Sequence, residues 1–266
     1  MNHQNILMKL GTDNPLSRII PTHDVVVTEK PFRYTVIDDF FSESFYKSLC
    51  EQYKDVIARG FSEEGDRHQF TRFGDASLVG KYDAYRFNPA PGLGALPTDM
   101  LRLPEWISYF SDLFKVQLTQ DELLSYHYHK IGGHTGTAHT DYSLCTFKND
   151  PLPNRVNSWY YHCKYENDSD TIPEDCHQVM RSVTLVYYLN NECNGKHGGE
   201  TAIYHNGQVV DTITPVNNRL FAFEVEPESH HGFLTNSKHE RCSITQWFHQ
   251  ESALTFSRFN IKNSPW

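Results

Sequence analysis

The chain has 266 residues, of which 14% are aromatic, and it carries a formal net charge of −9. Such a length can bury one sizeable hydrophobic core, so we expect a single main domain rather than two independent units. An acidic chain offers no electrostatic surface for a polyanion, which argues against nucleic acid and anionic membranes as partners.

Cysteine usage and hydropathy bear on the compartment. No two of the six cysteines form a CxxC motif, and their scattered positions are typical of reduced thiols. No apolar run at the N-terminus resembles a signal peptide, and no later segment is long enough to span a membrane. We therefore predict a cytoplasmic protein whose oligomeric state the sequence leaves open.

The N-terminal part predicts an arm followed by a strand and two helices. Residues 1–30 are polar without a clear period and are expected to form an arm. The β-branched and aromatic run at 32–41 predicts a strand. Ser42 is a suitable N-cap for a helix that continues to about Ala58, and a second helix is expected to begin at Pro104. The stretch 61–97 between them is rich in Gly, Pro and charge, which predicts loops.

From Leu123 onward, about seven short runs predict strands separated by Gly, Asn and Pro clusters. They are LLSYHYHKI, HTDYSLCTF, RSVTLVYYLN, TAIYHN, QVVDTITPV, RLFAFEV and RCSITQWFH. This spacing favours a mainly β fold, a jelly roll or double-stranded β-helix with the N-terminal helices packed outside (α+β). We assign 31–266 to one domain, with a helical part at 31–120 and a jelly-roll core at 121–250. The polar stretch 146–178 interrupts the strands and is predicted to be a lid insertion.

The tripeptide HTD at 139–141 is the first candidate for metal chemistry. If this segment is a strand, His139 and Asp141 face the same side. A second histidine from elsewhere would complete a two-histidine, one-carboxylate set, which is typical of non-haem iron(II) oxygenases. A lone HxD is weak evidence, so the rest of the sequence must support it.

Support comes from SHHGFLTNSKHERCSITQWFH near the C-terminus. Either His230 or His231 could be the third ligand, but neighbouring strand residues face opposite ways and only one should bind. Arg241 follows on a predicted strand, with Ser243 and Thr245 on its face. A guanidinium beside a hydroxyl can bind a carboxylate through paired hydrogen bonds, which a structural metal site would not need.

In their order, these motifs resemble the iron(II)- and 2-oxoglutarate-dependent dioxygenases of the prolyl-4-hydroxylase-like branch. The matching segments are YTVIDDFFSESFYKSL, HTD, RSVTLVYYLN followed by GGET, PVNNRLFAF, SHHGF and RCSITQWFH, and they cover most of residues 34–249.

The resemblance implies roles for individual residues. His139, Asp141 and a distal histidine would hold Fe(II), and the S-x-H-G register of SHHGF selects His231. Arg241 would pair with the distal carboxylate of the cosubstrate 2-oxoglutarate, with Ser243 as a helper. Tyr126 or Tyr128, which share one strand face, would place a hydroxyl near the cosubstrate. O₂ is the oxidant, and ascorbate is a candidate stimulant.

The resemblance also implies a reaction. Because Asp141 leaves no room for chloride, hydroxylation, desaturation or cyclisation is favoured over halogenation. The insertion favours a small-molecule substrate, such as an amino acid or a natural-product intermediate. Peptidyl (prolyl-type) hydroxylation and a non-catalytic metal-binding jelly roll remain the alternatives. Candidate substrate-binding residues are His134, Tyr142, Trp159 and Arg181.

Overall fold

Two sheets face each other in the computed structural model, and apart from one short parallel pair their strands run antiparallel. The structure describes residues 3–63, 68–73, 84–90, 97–132, 137–150, 155–158, 160–164, 172–191 and 198–260. Within these residues the larger sheet has twelve strands and the smaller sheet has three. The fold is thus mainly β, a jelly roll with helices packed outside, as predicted.

The elements have the following bounds. The strands are β1 His3–Met8, β2 His23–Thr28, β3 Tyr34–Ile37, β4 Phe61–Ser62, β5 Phe70–Phe73, β6 Ala84–Phe87, β7 Glu122–His129, β8 Leu144–Lys148, β9 Tyr160–Lys164, β10 Cys176–Leu189, β11 Thr201–His205, β12 Gln208–Ile213, β13 Leu220–Glu224, β14 His231–Phe233 and β15 Arg241–Glu251. The helices are α1 Glu43–Ala58, α2 Pro97–Met100, α3 Glu105–Phe114 and α4 Ser252–Phe259. The larger sheet has the strand order β1-β2-β3-β13-β10-β15-β7-β6-β5-β4, with β8 and β9 joined beside β10, and the smaller sheet has the order β12-β11-β14.

Both predicted helices are present and bury the expected apolar side. Ser42 occupies the N-cap position of α1, although its hydroxyl makes no capping hydrogen bond. Pro104 caps α3. The apolar side chains of the two helices join the main core against β7, β10 and β15; among them are Leu49, Tyr53, Trp106, Phe110 and Leu113. The helices therefore brace the outer face of the larger sheet and leave its inner face for the site.

Residues 1–30, which were expected to form an arm, contain two strands and a short 3-10 helix. β1 and β2 form a hairpin that extends the larger sheet beyond β3. Val25 and Val27 are buried, and a short 3-10 helix at Pro15–Arg18 adds Leu16 to the same core. The prediction of loops throughout 61–97 fails, because β4, β5 and β6 form one edge of this sheet.

Two further departures lie near the predicted motifs. The segment around HTD is not a strand: β8 begins only at Leu144, and His139 makes a single bridge to His231. Within the predicted insertion 146–178, β9 pairs with β8, while 151–154, 159 and 165–171 lie outside the described residues. No helix in the described part of the chain is long and apolar enough to cross a membrane.

Candidate metal and cosubstrate site

Three predicted ligands meet between the two sheets. The main chains of His139 and His231 exchange N–H···O hydrogen bonds of 2.9 and 2.8 Å, which hold the HTD segment against β14. His139 Nε2 lies 4.0 Å from Asp141 Oδ1, and His231 Nε2 lies 3.9 Å from Asp141 Oδ2. One ligand atom from each residue lies within 4.8 Å of the others, so the set can hold a metal ion. The geometry depends on this bridge and not on strand alternation within HTD.

Both imidazoles are oriented by the main chain. His139 Nδ1 lies 2.9 Å from the carbonyl oxygen of Thr137, and His231 Nδ1 lies 3.1 Å from that of Ser229. A carbonyl can only accept, so each Nδ1 carries the hydrogen and each Nε2 presents its lone pair. Metal-binding histidines are commonly held this way.

Asp141 is held in one orientation and kept ionised. Its Oδ2 accepts hydrogen bonds from Thr184 Oγ1 at 2.9 Å and Trp247 Nε1 at 2.8 Å. Burial alone would raise the pKa of Asp141, but His231, Arg181 and His139 together hold it well below its usual value. Two imidazoles and one carboxylate are the donor set that suits Fe(II), so these residues fit that ion.

Arg241 projects from β15 into the same space. It is 6% exposed, and its guanidinium donates to Thr201 Oγ1 at 3.0 Å and to Ser243 Oγ at 3.4 Å. Among the described atoms, its Nε has no hydrogen-bond partner. Burying a charge without a counter-charge is costly, and the donors left over suit a carboxylate. The site therefore fits an anionic cosubstrate.

A cavity of about 230 Å³ connects these groups. Its wall includes the three candidate ligands, Arg241 and alternate residues of β7, namely Leu123, Ser125, His127 and His129. Burial and the charges of Arg241 and Arg86 lower the pKa of His127 to about 3, and burial, Arg241 and His127 lower that of His129 well below 6.5. Both are therefore neutral near pH 7.

The part of the chain that forms this site matches a known protein family. The family model of the 2OG-Fe(II) oxygenase superfamily matches residues 126–249, a range that contains His139, Asp141, His231 and Arg241. The protein therefore contains a 2OG-Fe(II) oxygenase domain, which the match places in a little under half of its residues. It is a 2-oxoglutarate-dependent dioxygenase, whose activity requires Fe(II), 2-oxoglutarate and O₂.

Two solved structures are similar in fold to this oxygenase. A prolyl-4-hydroxylase from Pseudomonas putida is 17% identical, with a TM-score of 0.56, and the match covers 82% of this chain and 92% of that one. A prolyl hydroxylase from Trichoplax adhaerens, in complex with a hypoxia inducible factor oxygen degradation domain peptide fragment, is 16% identical with a TM-score of 0.52, covering 81% and 83%. A comparison with curated proteins finds no match.

The tyrosines expected beside the cosubstrate face away from the cavity of the oxygenase. Tyr126 hydrogen-bonds Thr98 and stacks on Tyr53 at 5.2 Å, and Tyr128 packs against the ring of Phe61 at 4.9 Å. The physical reason is strand parity. Arg241 faces the cavity, and its ladder partner on β7 is His129, so the odd-numbered residues of β7 share that side. This pairing cannot be read from the sequence, which is why His127 and His129 are not among the predicted site residues.

The remaining predicted residues separate into three groups. Ser243 contacts Arg241, as expected, and Arg181 lines the cavity. Tyr142 does not line the cavity: it is buried in a second core cluster with Met180 and Phe223. His134 and Trp159 lie outside the described residues.

Proposed function

We propose that this oxygenase hydroxylates a C–H bond of a small molecule, such as an amino acid or a natural-product intermediate. In this proposal His139, Asp141 and His231 hold Fe(II), and Arg241 binds the distal carboxylate of 2-oxoglutarate. The observation that carries it is the buried guanidinium of Arg241 in the cavity that the three ligands line.

Each residue has a defined task. The carbonyls of Thr137 and Ser229 fix the two imidazoles, while Thr184 and Trp247 fix the Asp141 carboxylate. Thr201 and Ser243 accept from Arg241 and so hold its guanidinium in place for the cosubstrate. When bound, Fe(II), 2-oxoglutarate and O₂ supply the oxidation of the substrate, with release of succinate and carbon dioxide.

The apolar wall keeps the reacting groups away from bulk water. Val186 comes from β10 and Phe233 from β14, on opposite sides of the cavity. Phe233 also stacks on His129, with ring centroids 4.2 Å apart. Exclusion of water strengthens the charge interactions inside such a site and limits side reactions.

The size of the cavity favours a small substrate. Its volume of about 230 Å³ lies below the roughly 300–1,000 Å³ usual for ligand pockets, and 2-oxoglutarate must share it. A compact substrate fits this limit better than a folded peptide segment. The single domain at 31–266 and the lid at 146–178 stay parts of this proposal.

Peptidyl hydroxylation is the second candidate. Both similar solved structures are prolyl hydroxylases, and one of them binds a peptide. Free amino acids and proline-containing peptides should therefore be compared in one assay. Stimulation of 2-oxoglutarate consumption by peptides alone would favour this second candidate.

The first experiment tests the cofactor chemistry. Fe(II) and 2-oxoglutarate are added to the purified protein without oxygen, and we expect the visible charge-transfer band of their complex. Admission of air should then yield succinate. A protein that shows neither the band nor succinate is not a 2-oxoglutarate oxygenase.

The two adjacent histidines provide a matched pair for the ligand assignment. His231→Ala should abolish the band and iron-dependent turnover, because Nε2 of His231 faces Asp141. His230→Ala should keep most of both, since His230 is not among the residues that line the cavity. Equal losses in the two variants would refute the assignment of His231.

A further inference from the structure

Arg181 contributes a second buried guanidinium to the cavity. It is 8% exposed and lies over the ring of Trp247, with its Cζ 4.6 Å from the ring centroid. Trp247 follows Arg241 on the same face of β15, six residues later. At about 3.4 Å per residue, roughly 20 Å of strand separates the two positions. The two arginines therefore serve different ends of the cavity.

A β-bulge directs Arg181 into the cavity. On β10, Thr184 and Val186 line the cavity, so regular alternation would bring Ser182 to the same side. Instead, Arg181 pairs with His249 and Val183 with Phe248, which leaves Ser182 as the extra residue. Bulges beside active sites often redirect a side chain in this way.

The described wall of the cavity is rich in positive charge. It contains three arginines, Arg86, Arg181 and Arg241, whereas Asp141 is its only carboxylate. Arg181 Nη1 lies 3.7 Å from Asp141 Oδ1, which is longer than a hydrogen bond. Asp141 also faces the metal position, so its single charge is shared between that position and Arg181.

We propose that Arg181 and the Trp247 ring form a carboxylate subsite for the substrate, so that the oxygenase acts on a small molecule with a free carboxylate. This inference rests on the proposed function and deepens it. The planar guanidinium can hold a carboxylate through two parallel hydrogen bonds. Because Arg181 lies beside Asp141, a substrate anchored there would have its neighbouring carbon atoms next to the metal position.

Arg86 and Trp247 add to this subsite in different ways. Arg86 is exposed at the rim of the cavity, where its charge attracts anions toward the entrance. The Trp247 indole donates to Asp141 and stacks under Arg181, so it fixes the carboxylate ligand and the anion-binding group relative to each other. The distance between the metal and the substrate anchor is thereby set by one side chain.

The test compares free acids with their amides. A panel of L-amino acids and N-acetyl amino acids, each with its primary amide, is titrated into the anaerobic Fe(II) and 2-oxoglutarate complex. Binding is followed by the change in the charge-transfer band and by calorimetry. We expect at least one acid to bind ten-fold or more tightly than its amide, since only the acid can accept charge-assisted hydrogen bonds from Arg181.

Variants assign that preference to Arg181. Arg181→Gln should weaken binding of the acid about ten-fold or more and leave binding of the amide within about two-fold. Arg181→Lys should recover part of the preference, because the charge remains and the planar fork is lost. Arg18→Gln, which removes an exposed arginine of the 3-10 helix, is the control for a general change in charge.

The outcomes separate the subsite from the proposed function. Failure of the wild-type protein to form the charge-transfer band would remove the proposed function itself. With the band present, a panel in which no acid is preferred over its amide overturns the subsite. The subsite is also overturned if Arg181→Gln chiefly weakens 2-oxoglutarate, because Arg181 would then serve the cosubstrate.

Discussion

At the scale of single residues, His129 and Tyr128 show how one position along a strand changes a role. They are neighbours on β7, yet His129 lines the cavity and Tyr128 packs in the core behind it. The sequence motifs point to His139, Asp141, His231 and Arg241, and the structure brings these four residues to one cavity. The motifs could not decide the face of β7, because that depends on which residue of β7 pairs with Arg241.

Replacement of His129 tests whether it contacts the cosubstrate. His129→Phe keeps a ring against Phe233 but removes the nitrogen atoms beside Arg241. Loss of one neutral hydrogen bond, about 0.5–1.5 kcal/mol, should raise the Kd for 2-oxoglutarate roughly two- to ten-fold. Calorimetry on zinc-loaded protein measures this change without turnover.

Tyr128→Phe is the matched control on the opposite face of β7, and its Kd should equal that of the wild-type protein. An unchanged Kd in His129→Phe would instead limit His129 to packing against Phe233.

At the scale of elements, a polar clamp ties the base of the 146–178 insertion to β7. His177, near the start of β10, places Nε2 2.9 Å from Asp121 Oδ1 and Nδ1 2.8 Å from Asn149 Oδ1. Two accepting oxygens suit a protonated imidazole. The hydrogen bond to Asp121 raises the pKa of His177. Burial alone would raise the pKa of Asp121, but its hydrogen bond to His177 and the charge of that imidazole hold it below its usual value.

The clamp predicts a pH dependence of stability. The pKa of His177 is raised in the folded protein. The stability that His177 contributes is therefore complete below its unfolded-state pKa of about 6.5, and it is lost as pH rises through its pKa in the folded protein. The Tm difference between wild type and His177→Gln should therefore shrink as pH rises from about 6 to about 9. Thermal melting in the two proteins measures it.

Neighbouring charges do not reverse this sign. Glu251 raises the pKa of His177 further, whereas His249 is buried and neutral, with its pKa lowered to about 4. A Tm difference that grows toward high pH would contradict the clamp.

Elements with weak local signals were the ones missed from the sequence. β4 has two residues and β14 has three, which is too short for a period-2 pattern. The β1–β2 hairpin is recognisable only from its pairing with β3, since β2 buries just two of its six side chains. Long apolar runs such as β10 and β15 were evident because nearly every residue is buried.

At the scale of the whole molecule, buried neutral histidines make stability depend on acid. Burial is the main cause that lowers the pKa of His127 to about 3, that of His231 to about 4 and that of His249 to about 4, and His129 lies well below 6.5. The unfolded chain binds protons at these groups below about pH 6.5, whereas the folded protein does not. The stability that these neutral histidines contribute is therefore complete above about pH 6.5 and is lost as pH falls toward their pKa values in the folded protein.

The metal-free protein should consequently be acid-labile. Below about pH 6.5, each such histidine lowers the free energy of unfolding by up to about 1.4 kcal/mol per pH unit. Together these histidines lower it by several kcal/mol, out of a total of about 5–15 kcal/mol. We expect the Tm to fall by about 10 °C or more between about pH 7.5 and 5.5. Thermal melting of metal-free protein across this range checks it, and a flat profile would show that these histidines are protonated in the folded state.

The bulge in β10 also affects how related sequences should be compared. A reader who counts alternate residues back from Thr184 arrives at Ser182 and would assign a hydroxyl where the structure has the guanidinium of Arg181. A sequence alignment that places its gap one residue away from Ser182 makes the same error. Substrate preference inferred by position from a relative without this extra residue would thus be transferred to the wrong side chain.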